Sequence, residues 1–176
     1  MEFFFLAGYL LLFLFVNDYL IAAKPFFSYK IWALYDGIVH GLVGVLVLYP
    51  IYKEKINRYF VLLFLLAALV DIDHFIAAQS LYLSDALRLP LRPATHSITF
   101  AILVAVAGIL LTRNKLVAWT LFAAVTSHVI RDASGGGTPV FWPLEIYHIP
   151  SWFYYGGEIV LLHFSFQFSH KRISNR

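Results

Sequence analysis

The chain contains no cysteine in its 176 residues. Disulfides and thiolate metal sites are therefore excluded, and a bound metal would have to be held by imidazole nitrogen and carboxylate oxygen. Charge is also scarce. Asp, Glu, Lys and Arg make up 13% of the residues, about half the roughly 25% of a soluble domain. The net charge of +3 is spread over short loops and the C-terminal tail, which excludes a nucleic-acid-binding surface. No repeat, low-complexity stretch or long linker is present. Apolar residues fill the remaining space: 61% of the chain is hydrophobic and the mean hydropathy is +0.76. These values predict one integral membrane domain over residues 1–176. The opening MEFFF carries no basic cluster and leads to no small-residue cleavage site, so its apolar run is expected to remain as a helix.

Six apolar segments are expected to form membrane helices, at about residues 3–23, 31–52, 59–80, 95–111, 116–130 and 152–168. The fold class is thus all-α, a polytopic bundle in which every backbone group is satisfied inside helices. Lys24-Pro25 breaks the chain after the first segment. The fifth is short for a span of ~20 residues, so its polar end should continue as helix into a cavity. Aromatic residues around 141–155 fit an interfacial belt. With six spans, eight of the 13 basic residues fall on one side and five on the other. The positive-inside rule then places both termini in the cytoplasm of a cell whose plasma membrane holds the chain.

Asp71, Asp73, His74, His96, His128, Asp132 and His40 sit within or at the ends of these segments. Ionisable groups at bilayer depth cost at least a few kcal/mol each, so such groups are usually paired, bound to a cation or in a wet cavity. In the six-span topology they all fall in the outer leaflet, as does Glu158. His and Asp are ligands of borderline and hard divalent metals. The expectation is a polar metal site in the extracytoplasmic half of the bundle, holding one or two divalent ions. Zinc is the first choice for the imidazoles, with manganese or magnesium open.

Spacing refines the set. Asp71 and His74 are three apart and share a helix face, whereas Asp73 points elsewhere unless the helix breaks. His128 and Asp132 are four apart and can face one ion. Thr95 is placed to cap the fourth helix, with His96 in its first turn. Asp36 and His40 are also four apart. Asp36 either orients His40, joins it as a ligand, or makes an interhelical hydrogen bond. Glu158 is either a ligand or general base, or a capping carboxylate. His163 is expected to make an interhelical contact. Arg92 and Arg131 are poor ligands but suit a phosphate. Gly135, Gly136 and Gly137 could bring backbone amides close to a ligand.

These motifs resemble a known family. LVDIDHFIA is similar to the PDIDH motif of the YdjM-type membrane-bound metal-dependent hydrolases. Residues 91–97, LRPATHS, resemble that family's HRGxTHS, and residues 126–143 resemble its SHxxxDxxTxxGxxxxxP block. The resemblance implies metal or catalytic roles for Asp71, Asp73, His74, His96, His128 and Asp132. It extends to His40 as an early histidine and to Glu158. The chain departs from the pattern at Leu91, where the family has His, at Val70 for Pro and at Ser134 for Thr. Arg92-Pro93, His96 and the His128/Asp132 pair also resemble membrane phosphatases of the phosphatidic-acid phosphatase type. That pattern lacks its leading Lys here and has no use for Asp71-Ile72-Asp73-His74.

The expected function is hydrolysis of a phosphoester of a membrane lipid or other amphiphile. Asp73 or Glu158 would serve as general base, and Arg92 and Arg131 would hold the phosphate. The alternatives are a metal-ion transporter and a structural or sensor protein. A transporter needs a polar path onward from its site, but VLLFLLAALV before Asp71 and LVAWTLFAAV before Thr126 are nearly devoid of polar groups.

Overall fold

A computed structural model describes residues 1–23, 28–144 and 147–174, with side chains up to residue 170. Among these the chain is all-helical. The long helices are α1 (Glu2–Ala23), α2 (Tyr29–Tyr52), α3 (Ile56–Ala68), α6 (Ile98–Thr112), α7 (Lys115–Gly135) and α8 (Ser151–Ser174). Two short helices, α4 (Ile72–Ala77) and α5 (Leu83–Ala86), lie between α3 and α6. The expected break at Lys24-Pro25 lies outside the described residues.

Five of the six apolar segments correspond to single long helices, and the third to α3 with the turn and short helix that follow it. Two described stretches are long and apolar enough by themselves to cross a bilayer: Glu2–Ala23 and Tyr29–Ala77, the latter turned back on itself after Tyr52. Ile98–Thr112 is apolar but shorter. α7 and α8 have the length but are more polar. As the polarity of the fifth segment's end suggested, α7 continues past Ile130, carrying His128 and Asp132 to its last turns.

α7 is the central strut and packs against α2, α3, α6 and α8. Thr120 and the stretch from Ala123 to Ala133 are buried. In lipid, apolar side chains gain little by leaving the tails for each other, so close backbone approach carries much of the packing. A Cβ at Gly44 of α2 would lie 2.5 Å from the Ala67 Cβ of α3, and one at Gly157 of α8 would lie 2.8 Å from Ile130 Cδ1 of α7. His163 of α8 meets Phe3 of α1 edge-on, with ring centroids 5.5 Å apart.

The two ends of the bundle differ. At one, Lys53 Nζ pairs with Glu2 at 2.9 Å, and Tyr52 and Thr120 share a hydrogen bond of 2.8 Å between their hydroxyls. Trp119 Nε1 donates to Ser165 Oγ nearby. Lys55, Arg58, Arg113 and Lys115 lie at or beside helix ends here. The opposite end carries the His/Asp residues: Asp18 of α1, Asp36 and His40 of α2, Asp71, Asp73 and His74 beyond the end of α3, His96 before α6, and His128 and Asp132 of α7.

Two expectations about the backbone are corrected. The third segment is not one helix: α3 ends at Ala68, and Leu69–Asp71 form a 3-10 turn before α4. Thr95 is not the cap of α6. Ser97 is, its Oγ accepting from Phe100 N at 3.0 Å, so His96 precedes the helix. Ser97 wins because its extended backbone conformation aims the hydroxyl at the amide three residues on, while the Thr95 hydroxyl is engaged by Asp73.

Candidate metal centre

Four donor atoms from three parts of the chain converge. Asp71 Oδ1 lies 3.2 Å from His96 Nε2 and 3.4 Å from His128 Nε2. Asp132 Oδ2 lies 3.5 Å from His96 Nε2 and 3.2 Å from His128 Nε2. The two Nε2 atoms are 3.2 Å apart. The spacing His128-x-x-x-Asp132 puts both on one face of α7, and the break after α3 swings Asp71 against them.

The far side of each ring is anchored. His128 Nδ1 lies 2.8 Å from the Ala67 carbonyl, one of the last carbonyls of α3, which have no helical partner of the usual kind. His96 Nδ1 lies 3.0 Å from Asp73 Oδ2. With each Nδ1–H donated outward, both Nε2 lone pairs point at the two carboxylates. Four convergent electron-pair donors repel one another unless a cation sits among them.

The spacing also fits an ion. A tetrahedral ion with bonds of about 2.0–2.1 Å sets its ligand atoms roughly 3.3–3.4 Å apart. The five separations run from 3.2 to 3.5 Å. Two imidazoles and two carboxylates suit a divalent ion, which they would leave neutral.

The broken helix also answers how Asp73 reaches the site. It lies behind the four donors, with Oδ2 on His96 Nδ1 and Oδ1 3.1 Å from His74 Nδ1. His74 Nδ1 is 3.7 Å from Asp71 Oδ1. His40 Nε2 lies 3.1 Å from Asp132 Oδ1, and its ring stacks on His128 with centroids 3.9 Å apart.

The three remaining site residues take different places. Arg92 Nε meets Asp132 Oδ2 at 3.0 Å, and its Nη1 donates to the carbonyls of Asp132 and Gly136 and to Thr138 Oγ1. The glycine-rich loop therefore offers carbonyls to Arg92. Gly136 and Gly137 adopt φ of +87° and +78°, which glycine tolerates without strain. Arg131 faces away from the four donors. Its Nη1 donates to Asp36 Oδ1 at 2.7 Å, and its Nη2 lies 3.5 Å from Asp18 Oδ1. Glu158 is fully buried and accepts from Ser127 Oγ at 3.1 Å. α7 thus carries two polar faces: His128 and Asp132 on one, Ser127 and Arg131 on the other.

Sequence reasoning missed the pairing of Asp18 with Arg131, the bond of Thr95 to Asp73 and the Ala67 carbonyl. Asp18 had one signal, an acid beside Asn17 in an otherwise apolar helix.

A cleft of about 600 Å³ opens beside the four donors. Asp71, His74, Asp36 and Arg92 form its polar part, and Phe64, Leu65, Leu69, Phe75 and Leu87 are among its apolar walls. Lys30 and Trp32 also line it.

A family model described as "YdjM inner membrane protein" matches residues 36–175. The chain belongs to this family. The YdjM match takes in every His and Asp of the cluster and leaves out α1. Curated relatives named "Transmembrane protein 267" are similar as well. The mouse (Mus musculus) protein is 32% identical over 79% of this chain and 70% of its own length. The zebrafish (Danio rerio) protein is 32% identical over 68% of this chain and 59% of its own. The bovine (Bos taurus) protein is 36% identical over 61% and 56%. The chain thus spans less than two thirds of the zebrafish and bovine relatives. No solved structure matches. YdjM membership and the apolar helices make this a membrane protein.

Proposed function

We propose that this YdjM-family chain is a membrane-embedded metal-dependent hydrolase that cleaves a phosphoester of a lipid or other amphiphile. One observation carries the reading. Of the four converging ligand side chains, His96 and His128 are 0% and Asp132 4% exposed, but Asp71 is 39% exposed and borders the cleft. A centre reachable from one side, at the polar end of an apolar cleft, suits an amphiphile whose tail lies along Phe64, Leu65 and Leu69.

Asp71, His96, His128 and Asp132 would hold the ion, zinc first, with manganese or magnesium open. The chemistry supplied by that ion is Lewis acidity, which acidifies water and polarises a phosphoryl oxygen. Arg92 keeps a positive charge at the cleft and clamps Asp132, so a phosphate there meets a guanidinium already fixed in place. His74 lines the cleft and backs onto Asp73, the arrangement of a proton acceptor positioned by a carboxylate. Arg131 and Glu158, both expected at the substrate, are better suited to holding α1, α2, α7 and α8 together. The basic end of the bundle would face the cytoplasm and the centre would face outward across a plasma membrane.

The test is release of phosphate or headgroup from lipid phosphoesters by the chain in liposomes, with and without chelator. Metal-dependent release that Asp71→Asn abolishes supports hydrolysis. No release, with metal uptake into the liposomes, would replace the hydrolase by a transporter.

A further inference from the structure

Asp132 uses its two oxygens differently. Oδ2 faces His96, His128 and Arg92, whereas Oδ1 faces His40 Nε2 at 3.1 Å. That contact lacks the alignment of a hydrogen bond. Neither nitrogen of His40, which is 1% exposed, has a hydrogen-bond partner among the described residues. A buried imidazole without a partner is costly. The ring is also held rigidly by its stack on His128, so Nε2 keeps its direction. One helical turn earlier on α2, Asp36 Oδ2 comes within 3.8 Å of the same nitrogen. The other Asp36 oxygen is taken by Arg131, which fixes the carboxylate. One donor atom each from Asp36, His40 and Asp132 lies within 4.8 Å of the others.

A close, misaligned N···O contact is what two ligands of one ion make. Adjacent ligands of an octahedral ion with bonds of about 2.1 Å sit roughly 3.0 Å apart. Two carboxylates and one imidazole form a harder donor set than the first position has, favouring manganese or magnesium over zinc. Asp36 also lines the cleft, so the remaining positions of such an ion would open towards the same substrate space.

We propose, building on the metal-centre reading above, that Asp36, His40 and Asp132 form a second divalent-cation position, with Asp132 bridging the two ions. The centre is then binuclear. Paired ions about 3.5–4 Å apart are the arrangement that clamps both the attacking and the leaving oxygen in phosphoester hydrolysis. His40 belongs to this second position and not to the four-donor site.

The experiment uses the full-length chain in detergent, stripped of metal and reloaded with Mn2+ alone. Bound manganese is counted by mass spectrometry, and its electron paramagnetic resonance spectrum is recorded. The wild type should hold two ions per chain with an exchange-coupled spectrum. His40→Gln and Asp36→Asn should each hold one ion with an uncoupled spectrum. If one variant fails to fold, the other and the wild-type spectrum still decide. A wild type that holds a single uncoupled ion, unchanged in either variant, overturns the second position and leaves the proposed function standing. A wild type that binds no Mn2+, and no Zn2+ in a parallel sample reloaded with Zn2+ alone, overturns both.

Discussion

His128 Nδ1 reaches the carbonyl oxygen of Ala67 across 2.8 Å, joining α7, which carries two of the four converging donors, to the end of α3. Ala67 is itself pressed against Gly44, where an added Cβ would lie 2.5 Å from the Ala67 Cβ. Helix packing and ligand orientation therefore share one contact. Gly44→Ala should push α3 away from α2 at an overpacking cost of about 1–3 kcal/mol, and should weaken metal binding although Gly44 touches no ligand. Thermal unfolding in detergent and a metal titration measure both. Full affinity in a destabilised variant would separate the packing from the site.

Asp73 contacts His96 and His74, through which it would act on the proposed centre. Asp73→Asn should keep the ion but bind it about 10–100-fold more weakly, the usual penalty for losing a carboxylate behind a ligating histidine. Asp71→Asn and His128→Gln each remove a ligand of the proposed ion and should weaken binding further than Asp73→Asn does. Competition against a chromophoric chelator ranks the three. Equal losses in all three would make Asp73 a ligand.

Arg131 is 7% exposed between Asp36 and Asp18. Removing it leaves two carboxylates facing one another in the bundle. Arg131→Met should cost about 3–5 kcal/mol, as for one partner of a buried ion pair. Arg131→Met with Asp18→Asn should recover part of that loss. A single variant as stable as the wild type would contradict this role and return Arg131 to the substrate.

Much of the site was readable because it is local. His128 and Asp132 are one turn apart, and any helix through them sets them on one face. The density of carboxylate and imidazole in Asp71-Ile72-Asp73-His74, after an apolar run, was equally visible. The 3-10 turn that brings Asp71 and Asp73 to the same centre was foreseen only as a condition, since no proline or glycine marks it. The partners of Arg131 were hidden for a different reason. Asp36 and Asp18 lie 95 and 113 residues away, and the rotation of α1 and α2 about their axes, which no pattern in α7 reveals, decides which acid meets it. Ser97 displaced Thr95 as the cap of α6 because two hydroxyl candidates, with only His96 between them, are told apart by backbone conformation.

Ser84 of α5 and Asn114, the N-cap of α7, belong to opposite ends of the bundle. If the basic end faces the cytoplasm, a cysteine at Ser84 should react with an impermeant maleimide added to intact cells, and one at Asn114 should react only after lysis. The reverse pattern would invert the orientation without altering the centre.

The central claim is that Asp71, His96, His128 and Asp132 together hold a divalent ion, and X-ray absorption at the zinc edge on the purified, zinc-loaded chain tests it most directly. The spectrum should contain only nitrogen and oxygen neighbours at about 2.0–2.1 Å, with outer-shell scattering from two imidazoles that falls to one in His128→Gln. A spectrum of zinc surrounded by water oxygens alone, unchanged in His128→Gln, would contradict the account.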